Sequence, residues 1–232
     1  YVVGIGDRHQ DNFLIDETTG QIIPIDFGRA FGYGAEAQPV PELIPFRLTN
    51  QMLNVLQPLG VQPLLRADMI ACMKALHANQ RIILDTLEVF VHEPLMEWVA
   101  EVQKEKGRLG GSDESETKPR YPKEKLTAVE MKLNHYHPVP ITAQELDRNT
   151  KVDKTVQKVR PDIRNIKPHI KKVLIGDRAS LRAKCLPTDA DPHGTLESHQ
   201  CADIAQQIDC LIDQATDLTI LGRTWIGWMP FL

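Results

Sequence analysis

Two short apolar runs near the start of the chain, Phe13-Leu-Ile-Asp16 and Gln21-Ile-Ile-Pro-Ile25, are separated only by Glu17-Thr-Thr-Gly20. That interval constrains the fold more than any other feature. A parallel pair of strands needs a crossover of a dozen or more residues, whereas four suffice for an antiparallel hairpin. Pro24 cannot donate to a ladder, so the second strand is expected at an edge. Antiparallel strands start and finish at the same end. Asn12, just before the first strand, is therefore expected beside Asp26, just after the second. The two flanks are polar and specific: Gly6-Asp7-Arg8-His9-Gln10-Asp11-Asn12 on one side and Asp26-Phe27-Gly28 on the other.

An amide oxygen and a carboxylate side by side are hard oxygen ligands, suited to Mg²⁺ with phosphates completing its shell. Asp7 stands five residues before Asn12. The loop H-R-D-x-x-x-x-N of protein kinases has the same Asp-to-Asn interval and is followed by D-F-G. In that chemistry one Asp orients the substrate hydroxyl, while the Asn and the later Asp hold metal on the nucleotide phosphates. Each residue also has a plainer reading. Asp7 could be a turn or cap residue, and His9 a structural histidine bonded to backbone. Arg8 reads as an ion-pair partner bracing the loop, and Phe27 as core packing. Ile175-Gly-Asp-Arg178 repeats the G-D-R triplet without the His, the Asn or the hairpin, and is read as coincidence.

The remainder divides into three textures. Residues 1–105 are apolar, and past the hairpin the period becomes helical. Thr49 is a candidate N-cap for a helix burying Met52, Leu53 and Leu56, with Pro58 as its stop. A helix over 64–79 should bury Leu65, Met69, Met73 and Leu76. Another over 81–91 should bury Ile83, Leu87, Phe90 and Val91, and a fourth carries Leu95, Trp98, Val99 and Val102. Strands followed by helices make an α+β chain, mostly helical. Residues 106–197 hold prolines at 119, 122, 138, 140, 161, 168, 187 and 192, with an acidic patch at Asp113, Glu114 and Glu116. They read as a variable insert or linker, partly disordered. Within it, 151–184 has eleven Lys or Arg and three Asp, net +8, against −4 for the whole chain. Such a block marks either a solvated stretch or an interaction segment. Residues 198–232 form a tail unit. Its helix starts after Ser198 and carries Ile204, Ile208, Leu211, Ile212 and Ala215, with Gly222 as a stop. Trp225, Trp228 and Phe231 need an apolar surface to dock on.

No run approaches the ~20 apolar residues that span a bilayer. Cys72, Cys185, Cys201 and Cys210 form no C-x-x-C pair, which argues against a disulfide framework or structural zinc. The chain opens on Tyr1 rather than Met, which reads as the cut edge of something longer.

The order D-R-H-x-x-N, hairpin, D-F-G resembles the phosphatidylinositol 3-kinase-related protein kinases. Pro45-Phe-Arg-Leu-Thr49 is similar to the segment closing their activation loop. The tail, with Leu221-Gly-Arg-Thr-Trp225 and Gly227-Trp228, resembles their FATC element, in particular that of a member acting on DNA double-strand breaks. The resemblance implies the C-terminal lobe of a protein-kinase-like or lipid-kinase-like fold over 1–105, and a FATC helix with docked tail over 198–232. It implies Asp7 as catalytic base, His9 stabilising transferred charge, and Asn12 and Asp26 binding nucleotide and metal. Phe27, Gly28, Arg29, Pro45, Phe46 and Arg47 fall in the activation loop.

The implied cofactors are ATP and Mg²⁺, or Mn²⁺. The implied activity is Ser/Thr phosphorylation, favouring sites followed by Gln, in nuclear non-homologous end joining. The implied partners are protein substrates and the Ku-bound DNA end, the latter through parts of a longer protein. Direct DNA contact by 151–184 is the weaker expectation, because no aromatic residues interleave with the charges. No Gly-rich loop or upstream phosphate-binding Lys is present, so the chain alone is expected to be inactive. Arg29 departs from the His usual after D-F-G, and Leu232 from the aromatic or Met usual at the end. A lipid kinase would share the motifs, but Gly28–Phe46 carries one cation, Arg29, and two acids, Glu36 and Glu42. That balance opposes inositol phosphates. A non-catalytic scaffold of the same fold would be expected to lose Asp7, Asn12 or Asp26, and all three are present.

Overall fold

The computed structural model describes residues 1–91, 120–149, 151–175 and 200–223. The hairpin forms as the short loop requires. β1 (Phe13–Ile15) pairs antiparallel with β2 (Ile22–Pro24), in the register Phe13↔Pro24, Leu14↔Ile23, Ile15↔Ile22. With two strands both are edges, which accommodates Pro24. The turn is closed by Asp16, whose carboxylate accepts from Thr18 N and Oγ1, 2.8 and 2.6 Å. The ribbon is open on both faces, with Leu14, Ile15, Ile22 and Ile23 all exposed.

After the hairpin come α1 (Tyr33–Ala37), α2 (Asn50–Val55), a wide π-type turn (Gln62–Arg66) running into α3 (Ala67–Ala78), and α4 (Gln80–Val91). Thr49 caps α2 by accepting from Met52 N at 3.3 Å. Among the described side chains of that helix none is buried, so the expected Met52–Leu53–Leu56 face is only half-covered. Met73 is buried in α3, with Met69 and Leu76 packed beside core clusters. Ile83 and Leu87 pack inward from α4 as expected, joined by Leu84. The side chains of Phe90 and Val91, and the helix expected around Leu95–Val102, lie outside the described residues.

The linker reading of 106–197 fails over the described part. α5 (Arg120–Leu133), α6 (Pro138–Asp147), α7 (Lys151–Val159) and α8 (Lys167–Ile175) are packed helices. The prolines misled because of where they sit. Pro138 opens α6, and Pro168 is the second residue of α8. A missing N–H costs nothing in a first turn. Leu133, Ile141, Leu146 and Leu174 are essentially inaccessible, and each such burial contributes roughly 1.5–3 kcal/mol. One core joins Leu43 and Ile44 to Val139, Leu146, Val152 and Leu174. A second joins Phe31 to Val129 and Leu133.

α9 (Ile204–Thr216) and α10 (Leu218–Leu221) complete the described chain. The cap of α9 is Asp203, which accepts from Gln206 N at 2.7 Å, and not Ser198. Ile204, Ile208 and Leu211 pack on Met73 with Phe46 alongside. Gly222 ends α10 as expected. Trp225, Trp228 and Phe231 lie outside the described residues, and so does the docking expected of them. No helix among the described residues is long and apolar enough to cross a membrane.

Candidate active site

The hairpin carries the site at its open end. Ile25 N donates to Asn12 O at 3.0 Å, one step beyond the ladder. Asp26 follows directly, so the two expected ligands sit side by side. Asn12 is buried, and its Nδ2 donates to Asp7 O at 2.5 Å. With its amino group spent there, the amide presents its oxygen as the acceptor. Asp26 is exposed, and its Oδ1 accepts from Gly28 N at 3.2 Å. The donor set, one amide oxygen and one carboxylate, fits a hard divalent cation whose remaining positions go to phosphate and water.

Asp7 and Asp26 both have left-handed backbone, φ +60° and +55°. Aspartate tolerates this region better than most residues, and such conformations cluster at functional sites. The conformation of Asp7 is over-determined by its surroundings. Its N–H donates to Glu42 Oε1 at 2.8 Å, and its carbonyl accepts from Asn12. Its carboxylate lies 3.3 Å from Arg29 Nε and 3.9 Å from His9 Nε2.

Arg8 braces the loop as expected, but through backbone carbonyls rather than an ion pair. Its guanidinium donates to Gly6 O at 2.9 Å, Asn12 O at 3.2 Å, Ile25 O at 2.8 Å and Asp26 O. It thus ties the loop before β1 to the residues after β2 through their carbonyls. Five donors in a rigid fork suit that task better than a lysine would. Phe27 is half-exposed rather than core, and Arg8 lies over its ring at 5.6 Å. His9 is the N-cap of a short 3-10 turn (Gln10–Asn12), its Nδ1 accepting from Asp11 N at 3.2 Å. That leaves Nε2 as the nitrogen facing Asp7.

The segment expected to form the activation loop is anchored at both ends. After D-F-G it zips onto the strand-like stretch before the loop through Gly6 N→Arg29 O, Phe31 N→Val3 O and Gly32 N→Gly4 O, 2.7, 2.7 and 3.0 Å. Arg29 lies over the Tyr33 ring at 5.8 Å. At the far end Pro45 and Phe46 are half-buried, and Arg47 Nη1 reaches Arg8 O at 3.4 Å. Between the ends lie contacts that sequence reasoning missed. Lys125 Nζ donates to Phe31 O at 2.7 Å and to Glu36 Oε2. Lys132 pairs with Glu145 at 3.0 Å, and that carboxylate lies against Gly32. Asn149 Nδ2 donates to Ala35 O and Gln38 O, both at 2.8 Å. Lysines in a proline-rich stretch carry no local sign of burial, and only their placement opposite buried carboxylates reveals this role.

Residues 1–100 match the family described as phosphatidylinositol 3- and 4-kinase, and residues 201–232 match the FATC domain. The DNA-dependent protein kinase catalytic subunit of Dictyostelium discoideum is 37% identical over 229 residues, covering 98% of this chain and 5% of that protein. The same protein of Xenopus laevis is 34% identical over 235 residues, covering 100% and 5%. This chain therefore spans about one-twentieth of the length of these curated relatives. A solved structure, the FAT and kinase domain of CtTel1, superposes with TM-score 0.52 at 22% identity. The superposition covers 100% of this chain and 11% of that one, and shows a shared fold.

Proposed function

We propose that this chain, whose residues 1–100 match the phosphatidylinositol 3- and 4-kinase family and whose residues 201–232 match the FATC domain, supplies the catalytic loop of a Ser/Thr protein kinase. One observation carries the reading: the hairpin sets Asn12 beside Asp26, and the Asn12 amide holds the Asp7 backbone against them. In this reading Asp7 accepts a hydrogen bond from the substrate hydroxyl and orients it for in-line attack on the γ-phosphorus of ATP. Asn12 Oδ1 and the Asp26 carboxylate hold Mg²⁺ or Mn²⁺, which supplies charge neutralisation on the phosphates when bound. His9 Nε2, facing Asp7, is placed to donate to charge developing on the transferred group. Orientation and charge stabilisation account for most of the rate in such transfers.

The finer assignment is phosphorylation of Ser or Thr followed by Gln, in nuclear double-strand-break repair by end joining, with recruitment to a Ku-bound DNA end through other parts of the protein. It is supported by the names of the relatives and by the match of residues 201–232 to the FATC domain. A lipid substrate is disfavoured, since the one cation between Gly28 and Phe46, Arg29, is engaged by Asp7. We do not extend the proposal to direct DNA contact by 151–184. There Arg160 pairs with Asp162, while Lys167 and Lys171 are held by Asp147.

The test is Asp26→Asn in the full-length protein, assayed for phosphate transfer from ATP to a Ser-Gln peptide and, separately, to phosphatidylinositol vesicles. Peptide activity should fall by about two to three orders of magnitude, with the melting profile kept. Retained peptide activity would refute the metal assignment. Transfer to the lipid alone would replace the substrate class.

A further inference from the structure

We infer that Glu42 is a positioning residue for phosphotransfer, holding the Asp7 backbone in its working conformation and tying it to an ordered activation segment. The inference rests on the kinase reading above and adds a residue that the motifs do not contain.

Glu42 lies 35 residues beyond Asp7, at the far end of the activation segment, and is 8% exposed. A carboxylate is buried there only if something compensates its desolvation. Two donors converge on Oε1, Asp7 N at 2.8 Å and Gln38 Nε2 at 2.9 Å. The other oxygen, Oε2, fills a hollow between Gly6 and Gly34, where a Cβ on either glycine would run into it. The backbone of Glu42 is fixed as well, its N–H donating to Gly34 O at 3.0 Å. The side chain thus enters a slot that two glycines keep open, and ends on the N–H of the residue read as catalytic.

That N–H has an unusual orientation because Asp7 has left-handed backbone. Conformations of this kind persist only when the surroundings over-determine them. Asn12 holds the carbonyl side of Asp7, and Glu42 holds the amide side. The groups facing Glu42 are few: the Asp7 carboxylate in the catalytic loop, Arg29 just after D-F-G, and the neutral Gln38 amide on its own segment. If the segment from Gly28 to Phe46 is displaced, Glu42 goes with it and Asp7 loses its amide partner. The contact would make correct placement of the catalytic carboxylate conditional on an ordered activation segment.

A positioning role predicts a specific kinetic pattern in the full-length kinase. Glu42→Ala removes the acceptor and should lower kcat roughly 10- to 100-fold, the scale of an ångström-sized misplacement, while KM for ATP stays within about twofold. Glu42→Gln keeps an amide oxygen for Asp7 N–H and should retain kcat within about threefold of the parent. Gln38→Ala frees one side of the carboxylate and should produce a smaller loss in the same direction. Asp7→Asn is run alongside. If it stays active, the kinase reading itself fails. If it is inactive while Glu42→Ala matches the parent in kcat per folded molecule, only the present inference falls. Equal losses in Glu42→Ala and Glu42→Gln would also overturn it, because the acceptor oxygen would then not matter. If Glu42→Ala does not fold, an unchanged kcat in Gln38→Ala overturns it.

Discussion

Lys125→Met should unfasten the activation segment without touching the catalytic loop. Lys125 and Glu36 have side chains only 3% and 7% exposed. The ammonium donates to the carboxylate and to Phe31 O at 2.7 Å, so it satisfies two acceptors of the same segment. Burial pushes the Lys125 pKa down, and Glu36 pulls it back up. Removing one member of a buried pair leaves the other charge uncompensated, at a cost of about 3–5 kcal/mol. Arg148, 3.8 Å from Glu36 and itself part-exposed, recovers some of this. The net expectation is about 3–4 kcal/mol. At 1.4 kcal/mol per decade, that is roughly a 100- to 1,000-fold rise in local opening. Hydrogen exchange of the peptide covering 30–38 reads that opening directly. The double variant Lys125→Met with Glu36→Leu is the control. Replacing both charges by apolar groups of similar size is often neutral or stabilising, so it should recover most of the loss. A deficit of about 1 kcal/mol should remain for the orphaned Phe31 carbonyl. If the single variant costs under 1 kcal/mol, or the double is as open as the single, the pair is not what fastens α1 to α5.

Two further outcomes follow from charges elsewhere. Burial raises the Glu42 pKa from 4.5 to about 7, with the Asp7 carboxylate adding to the rise, while hydrogen bonds from Asp7 N and Gln38 and the nearby Arg29 oppose it. A raised acid stabilises the fold fully below its unfolded pKa, and that contribution is lost as pH climbs through the folded one. Glu42→Gln, which never ionises, should therefore gain on the parent by about 3 kcal/mol between pH 4.5 and 8. Parallel pH–stability curves would contradict the burial argument. Arg66 makes a two-point pair with Asp209, 2.6 and 2.9 Å, joining the turn before α3 to α9. Both side chains are about one-quarter to one-third exposed, so Asp209→Asn should cost no more than ~1 kcal/mol. Thermal melting at low and high salt checks this, and a larger, salt-insensitive loss would mean that the pair does more than bridge.

The candidate constellation was legible because it is local and because its geometry follows from chain reversal. Four loop residues between two apolar runs leave no choice but a hairpin, and a hairpin must bring Asn12 to Asp26. Helices were legible where an apolar period ran through them, as at Met69–Met73–Leu76 and Ile204–Ile208–Leu211. What was not legible is long-range and polar. The residues 120–175 have a core, but their prolines and lysines disguise it. Pro138 and Pro168 read as marks of a linker but sit in the first turns of helices, and nothing local in the sequence singles out Lys125 and Lys132, which are buried. Composition cannot tell these cases apart, because a lysine is buried or solvated according to whether a carboxylate from elsewhere meets it. Here the carboxylate opposite Lys125 is Glu36, in the activation segment itself, 89 residues earlier.

That pairing changes what residues 106–197, read from the sequence as a linker, mean for the site. The D-F-G segment is held on one side by the catalytic loop, through Glu42 on Asp7 and the bonds of Arg29, Phe31 and Gly32. On the other side it is held by the insert, through Lys125 on Phe31 and Glu36, and Asn149 on Ala35 and Gln38. The tail helix adds Gln214 Nε2 on Leu43 O at 2.6 Å. Three segments distant in sequence therefore converge on residues 31–43. Packing in this arrangement is discrete rather than continuously deformable. A displacement of α5 or α9 would have to break these buried bonds before it could move the segment. Control of the candidate site from other parts of the chain would then act by making or breaking a few buried polar contacts. The Lys125 double-variant comparison measures one of them.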